Sequence, residues 1–202
     1  KNGVKIISIT QPTGEDSAGE MMRRIINMFD EHQSREISKH VSRCMKENAR
    51  QGFFNGSTPP FGYQAVVTDV VGSRGRSKKK LAINEDEARI VRLIYDLYLN
   101  GNDGQVMGCK EIVKYLVSKK LTMRGGVWNV YKTHTILSDP LYMGDYYFNV
   151  IDAKKGEKRL PDEWVKTSIP GIIDAATFER VRAKREERAP KKTPPRRVSC
   201  PT

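Results

Sequence analysis

Apolar residues recur at spacings of three and four along the first quarter of the chain: Met22, Ile25, Ile26 and Phe29, then Ile37, Val41, Cys44 and Met45. That period predicts a helix, and no Pro or Gly interrupts it between Gly19 and Gly52. Ser17-Ala18-Gly19-Glu20 has the spacing of a capping box and places the helix start. A helix from there toward Gly52, roughly 34 residues, would be about 50 Å long. It is expected to protrude from its own domain, one end on a sheet and the other toward a partner chain or ligand. Ahead of it, the β-branched run Val4–Thr10 predicts a strand with no partner in the following sequence, so Lys1 is expected to be an artificial start within a larger fold.

Beyond Gly52 the pattern changes. Asn55 to Tyr63 is dense in turn residues, including Pro59-Pro60, and marks the expected domain boundary. Strands are expected over Gln64–Val71 and Lys80–Ile83, flanking a basic loop that contains Arg74 and Arg76. Asn84 caps a helix with a core stripe of Ile90, Val91, Ile94, Leu97 and Tyr98, ending at Asn100-Gly101. A third helix is expected over Gly108–Lys119, burying Ile112, Val113 and Leu116. Asn129 would cap a short helix, Val130–Leu137, stopped by Asp139-Pro140. A strand over Tyr146–Val150, a loop from Asp152 to Lys166, and a last helix capped by Asp174 complete the pattern. The expected fold is mainly α with small β elements, an α+β arrangement in which the long N-terminal helix is followed by a mixed helical domain.

Composition narrows the class. The chain has 36 Lys and Arg against 24 Asp and Glu, a net charge of +12 and a pI near 9.7, which favours a polyanionic partner. No apolar run approaches the roughly 18 residues that would span a bilayer, so no membrane partner is expected, and the location is expected to be cytoplasmic. Cys44, Cys109 and Cys200 are too scattered for a disulfide framework or a zinc site. His32, His40 and His134 lack ligand spacing; no metal, cofactor or small-molecule substrate is expected. Neither Ser8 nor Ser17 has a neighbouring base fit to activate it, and no phosphate-binding glycine motif is present. No catalytic residue is expected among the 202.

Two basic groupings remain. Arg35, Lys39, Arg43, Lys46 and Arg50 lie at helical spacing beside the apolar stripe, a pattern that suits either a solvated face or a phosphate contact. Two helices followed by a short polar helix suggest a helix-turn-helix relative, in which Asn129, Lys132, Thr133 and His134 would face base edges while Lys119 and Arg124 hold phosphates. The same pattern also fits a small helix packed by Trp128 and Ile136 with its polar side in water.

The order of these pieces resembles the large serine recombinases. The resemblance is carried by the strand ending Ile7-Ser8-Ile9-Thr10, the long helix, the run Glu47 to Tyr63, the stretch Ile90 to Gly101, the segment Trp128 to Gly144 and Ile173 to Phe178. It covers nearly the whole chain. It implies that residues 1–52 are the last strand and long helix of a resolvase-type catalytic domain, 53–188 a DNA-binding recombinase domain, and 189–202 a basic, Pro-rich linker toward a zinc ribbon. Gln33-Ser34 stands where small resolvases tend to have a Glu-Arg pair, a departure that favours the large subgroup.

The resemblance further implies a nucleophilic serine upstream of Lys1. That serine would attack the DNA backbone, form a phosphoserine link, and release it after subunit rotation. The implied partners are double-stranded DNA and further copies of the chain, as a dimer or tetramer joined through Met22, Ile25, Ile26 and Phe29. The expected DNA contacts are Arg43, Lys46, Arg50, Arg74, Arg76, Lys119, Arg124, Asn129, Lys132, Thr133 and His134. A non-enzymatic regulator with a helical dimerisation arm is the alternative; an RNA-binding protein suits the charge but lacks a run of exposed aromatics.

Overall fold

The computed structural model describes residues 17–72, 75–102, 104–152 and 155–188. The expected strand Val4–Thr10, the linker 189–202 and Arg74 lie outside these residues. The chain divides into two compact units, residues 1–47 and 48–202. The division falls within the long helix, not after Gly52.

The first unit holds most of helix α1, Ser17–Arg50. Its described surface carries ion pairs one turn apart: Glu20 with Arg24 at 2.6 Å, Glu31 with Arg35, and Glu36 with Lys39 at 2.7 Å. Such exposed pairs are screened by solvent and contribute little to stability. Glu20 thus pairs forward with Arg24, and Ser17 is already helical. The apolar stripe is largely uncovered: Phe29 is 69% exposed and Met22 53%, whereas Ile25 and Ile26 are half-buried.

The second unit begins with the last turn of α1, where Ala49 is fully buried and its carbonyl accepts from the Thr167 hydroxyl at 2.7 Å. This bond places the end of the helix in the second unit. Gly52, at φ +82°, then turns the chain away. Strands β1 (Tyr63–Val71) and β2 (Ser77–Ile83) form an antiparallel hairpin with Tyr63 opposite Ile83 and an irregularity between Val67 and Val71. Lys78 and Lys80 lie over the buried Phe53 ring, at 4.4 and 5.4 Å from its centre.

Helix α2 (Glu85–Leu99) is capped by Asn84, and α3 (Cys109–Ser118) starts where the Glu111 carboxylate accepts from the Gly108 amide at 3.1 Å. Helix α4 (Val130–Ser138) is followed by a 3-10 turn, Pro140–Met143, whose first free amides are met by Asp139. Strand β3 (Asp145–Phe148) pairs antiparallel with β4 (Val165–Ser168), and α5 (Ala175–Arg188) starts at Asp174, which accepts from the Thr177 amide at 2.8 Å. The expected loop from Asp152 to Lys166 therefore ends in a strand. The segment Val165-Lys166-Thr167-Ser168 is too short for its alternation to stand out, and its register comes from β3.

Helices α2, α3, α4 and α5 meet in one core containing Val91, Ile94, Tyr95, Ile112, Leu116, Ile136, Leu137 and Val181, each essentially without exposure. Buried hydroxyls tie distant segments together. Tyr63 donates to the carbonyls of Leu141 (3.1 Å) and Pro170 (2.9 Å), and Tyr95 donates to that of Ile136 (2.9 Å). Burial pushes the Tyr63 phenol up to about 12, so it remains a donor across the physiological range. Removing the hydroxyl as Tyr63→Phe should leave the Pro170 carbonyl without this donor, while Leu141 O keeps the Gly144 amide, and lower unfolding stability by about 1–3 kcal/mol, with no change of fold; urea denaturation followed by circular dichroism checks this.

Candidate nucleic-acid interface

Between Ile112 and Ser138 the sequence contains five basic residues (Lys114, Lys119, Lys120, Arg124 and Lys132) and no Asp or Glu. This stretch is α3 after its first turn, which holds Glu111, the following turn and α4. Lys114, Lys119 and Lys120 are exposed, with the Lys119 ammonium 5.6 Å from the centre of the Tyr115 ring. The turn is tight: Met123 and Gly126 exchange both backbone hydrogen bonds, at 3.0 and 2.9 Å, with Arg124 (φ +51°) and Gly125 (φ +78°) at its tip. A non-glycine residue at positive φ costs on the order of 1 kcal/mol and is held only by strong surroundings.

Those surroundings are the guanidinium's own contacts. Arg124 Nε and Nη2 donate to the two oxygens of Glu87 at 2.6 and 2.7 Å; Nη1 donates to Pro59 O at 2.8 Å; Nη2 also reaches Pro60 O (3.1 Å) and Tyr63 O (3.0 Å). The remaining capacity of Glu87 Oε2 is taken by the Gly62 amide at 2.7 Å. Gly62 sits at φ +93°, where side chains are strained, and a Cβ there would come within 2.6 Å of Ile172 Cδ1 and force that methyl to shift. One cation thereby joins the Pro59-Pro60 segment, the base of β1, helix α2 and the α3–α4 turn. Arg124 is committed inside the domain and leaves the set of expected phosphate contacts.

The four expected base readers on α4 are similarly engaged. Asn129 caps the helix, its side-chain oxygen accepting from the Lys132 amide at 2.7 Å. Lys132 Nζ donates to Val127 O at 2.9 Å. Thr133 is fully buried and its hydroxyl donates to Asn129 O at 3.2 Å, so its side chain cannot reach a base edge; helix periodicity turns this position toward α3 and the core. His134 is exposed, but its Nε2 accepts from Arg185 Nη2 at 3.1 Å and its Nδ1 lies 3.3 Å from the Ser138 hydroxyl.

That last contact sits on a groove of about 710 Å³ whose lining includes Tyr98, Cys109, Met143 and Phe178. Basic side chains there are partnered: Arg182 with Glu179 and Glu186, and Arg188 over the Tyr98 ring. What sequence reasoning missed is the exposed apolar edge beside the cap. Val127 and Tyr131 are each 77% exposed and Val130 41%. The signal was present in the sequence, since 127, 130 and 131 are the positions that the core stripe of Trp128, Ile136 and Leu137 leaves over.

Of the other expected contacts, Arg43, Arg50 and Arg76 are exposed and Lys46 is half-buried. Among the described residues no group of His, Cys, Asp and Glu could hold a metal ion, and no helix is long and apolar enough to cross a membrane.

The fold and site define a small, mainly helical α+β domain with a basic stretch over α3 and α4 that has no acid from Ile112 to Ser138. The Recombinase family model matches residues 85–188, from the start of α2 to the end of α5, and the chain belongs to the Recombinase family. Two solved structures are similar. One is the crystal structure of an LSR–DNA complex, at 22% identity and TM-score 0.48, covering 76% of this chain and 38% of that one. The other comes from work on the sequence requirements of the Listeria innocua prophage attP site, at 22% identity and TM-score 0.46, covering 75% of this chain and 51% of that one. The chain thus spans about two fifths and one half of the lengths of these structures.

The Glu87–Arg124 pair has a defined pH signature. Burial raises the Glu87 carboxyl, but the hydrogen bonds from Arg124 and the Gly62 amide outweigh it and hold the group below its ordinary value. A carboxylate lowered on folding contributes stability that is complete above its unfolded value, about 4.3, and is lost as pH falls through the folded value. Wild-type stability should therefore drop more steeply than that of Glu87→Gln as pH falls from about 5 to 3. Asp139, which burial pushes upward, titrates in both proteins and cancels in the comparison. At neutral pH Arg124→Ala should cost about 2–4 kcal/mol and Arg124→Lys nearly as much, because an ammonium cannot span a carboxylate and three carbonyls. Denaturant titrations across pH measure both effects.

Proposed function

We propose that this chain is the DNA-binding and assembly portion of a large serine recombinase, the whole protein cutting and rejoining DNA through a phosphoserine link. The observation that carries the reading is the acid-free stretch from Ile112 to Ser138, where Lys114, Lys119, Lys120 and Lys132 remain once Arg124 is paired with Glu87, within a domain of the Recombinase family. A non-enzymatic regulator would need the charge but leaves the family membership unexplained. In this reading Lys114, Lys119 and Lys120 hold the phosphate backbone, with Arg43, Lys46, Arg50 and Arg76 as further contacts and α4 directed at the bases. Arg43 makes no ion pair among the described residues, unlike Arg35 and Lys39 on the same helix. No nucleophile is assigned within the 202 residues, so the chain grips DNA without breaking it.

The exposed strip on α1 supports the assembly half of the reading. Met22 and Phe29, seven residues apart, present apolar surface on one side of a helix whose neighbouring positions Ile25 and Ile26 are half-buried. The occupant proposed for this strip is the same strip of a second copy.

Binding should be strongly salt-dependent. Alanine at Lys114, Lys119 or Lys120 should weaken all duplexes alike and reduce the slope of log affinity against log salt by about one per lost phosphate contact. Fluorescence anisotropy over a salt series tests this, and unchanged slopes in all three variants would overturn the interface. The same incubations should give no covalent protein–DNA adduct on a denaturing gel. Sedimentation velocity should show dimers or larger species growing with concentration, and Phe29→Asp should shift the distribution to monomer.

A further inference from the structure

We infer that sequence readout by α4 is apolar: Val127, Val130 and Tyr131 form a contact surface for thymine 5-methyl groups in the major groove. The inference rests on the proposed role of this domain in DNA binding, and it names the residues that select the site. The polar side chains first expected to read bases have other work. Asn129 Oδ1 holds the cap, Lys132 Nζ holds Val127 O, Thr133 is buried, and His134 meets Arg185 and Ser138. Thr135 donates back to Tyr131 O at 2.9 Å. Beside the exposed capping residue Asn129, the side chains facing outward at this end of α4 are two valines and a tyrosine ring, at 77%, 41% and 77% exposure.

Three exposed large apolar side chains within five residues exceed the singly scattered apolar residues that are normal on a protein surface. Charge identifies the occupant. The cluster lies in the stretch from Ile112 to Ser138, which has no acid and, besides the Glu87-paired Arg124, four lysines, with Lys119 and Lys120 exposed close by in sequence. An apolar protein partner does not call for such a field; duplex DNA does, since its phosphates need the lysines while its major groove offers the thymine methyl as an apolar feature of a base edge. The rigid platform is also present. The Arg124 contacts fix the turn before the cluster, and Trp128, 3% exposed and edge-on to Phe61 at 5.3 Å, anchors the backbone between Val127 and Val130.

The test uses the full chain and duplexes it selects from a randomised pool. Each thymine of the selected site is replaced in turn by deoxyuridine, which removes the methyl and keeps the hydrogen-bonding edge. One or two positions should lose about fourfold in affinity, the scale of burying one methyl group. In Tyr131→Ala or Val127→Ala those same positions should become indifferent to the replacement, while binding to scrambled duplex and its salt slope stay as in the wild type. Val127→Thr, which keeps shape, serves as the folding control and should retain part of the methyl preference.

A site that is selected and bound, but shows no deoxyuridine effect at any position, overturns the inference and leaves the DNA-binding reading standing. Failure to bind any duplex overturns both. If Tyr131→Ala instead changes the oligomeric state in sedimentation and leaves the deoxyuridine effect in place, the cluster is a protein contact and the inference falls.

Discussion

The second unit depends on the Arg124 guanidinium. Five hydrogen bonds from one side chain reach Glu87 on α2, the carbonyls of Pro59 and Pro60, and the carbonyl of Tyr63 at the start of β1. None of these segments is adjacent to the α3–α4 turn in sequence. Without the cation, three carbonyls and a carboxylate that is largely screened from solvent would face one another. The planar fork of arginine is the only side-chain geometry that meets all of them at once. Its cost is a positive φ at Arg124, and the contacts far exceed that strain.

This constraint also settles the geometry of α4. The turn that carries Arg124 ends at Gly126, and three residues later Asn129 begins the helix. Fixing the turn fixes the first turn of α4 and so decides which of its side chains point inward. Thr133, Ile136 and Leu137 go to the core, and Val127, Val130 and Tyr131 stay outside. Local backbone strain is thereby linked to the choice of groups presented at the proposed interface.

Much of the fold was legible in the sequence because its signals are local. Asn84, Asn129 and Asp174 each cap the helix that their position announces, and the period of Val91, Ile94 and Tyr98 marks the buried side of α2. Long-range partners were not legible. Nothing near Val165–Ser168 announces pairing with β3, and nothing near Glu87 announces Arg124, since 37 residues separate them. The site suffered most from this. A basic residue in a turn between two helices suggests a phosphate contact, and only its acceptors reveal that the charge is used internally. The proposed interface still rests on a property of the sequence: residues 112–138 contain no Asp or Glu, and that is unaffected by the internal contacts of Arg124, Thr133 and His134.

The reassignment follows from a general competition. A polar residue at the start of a helix is attractive as a reader because it is polar and exposed, yet the same position exposes it to unsatisfied backbone amides within hydrogen-bonding reach. Asn129 illustrates the outcome: its oxygen meets the Lys132 amide at 2.7 Å, a partner always present, whereas a base edge is present only in the complex. A valine or tyrosine ring has no such internal claim on it and remains exposed at the cost of apolar hydration. That hydration cost is recovered when the surface is covered, so the apolar residues of this helix end gain from docking while its capping residue has little left to gain.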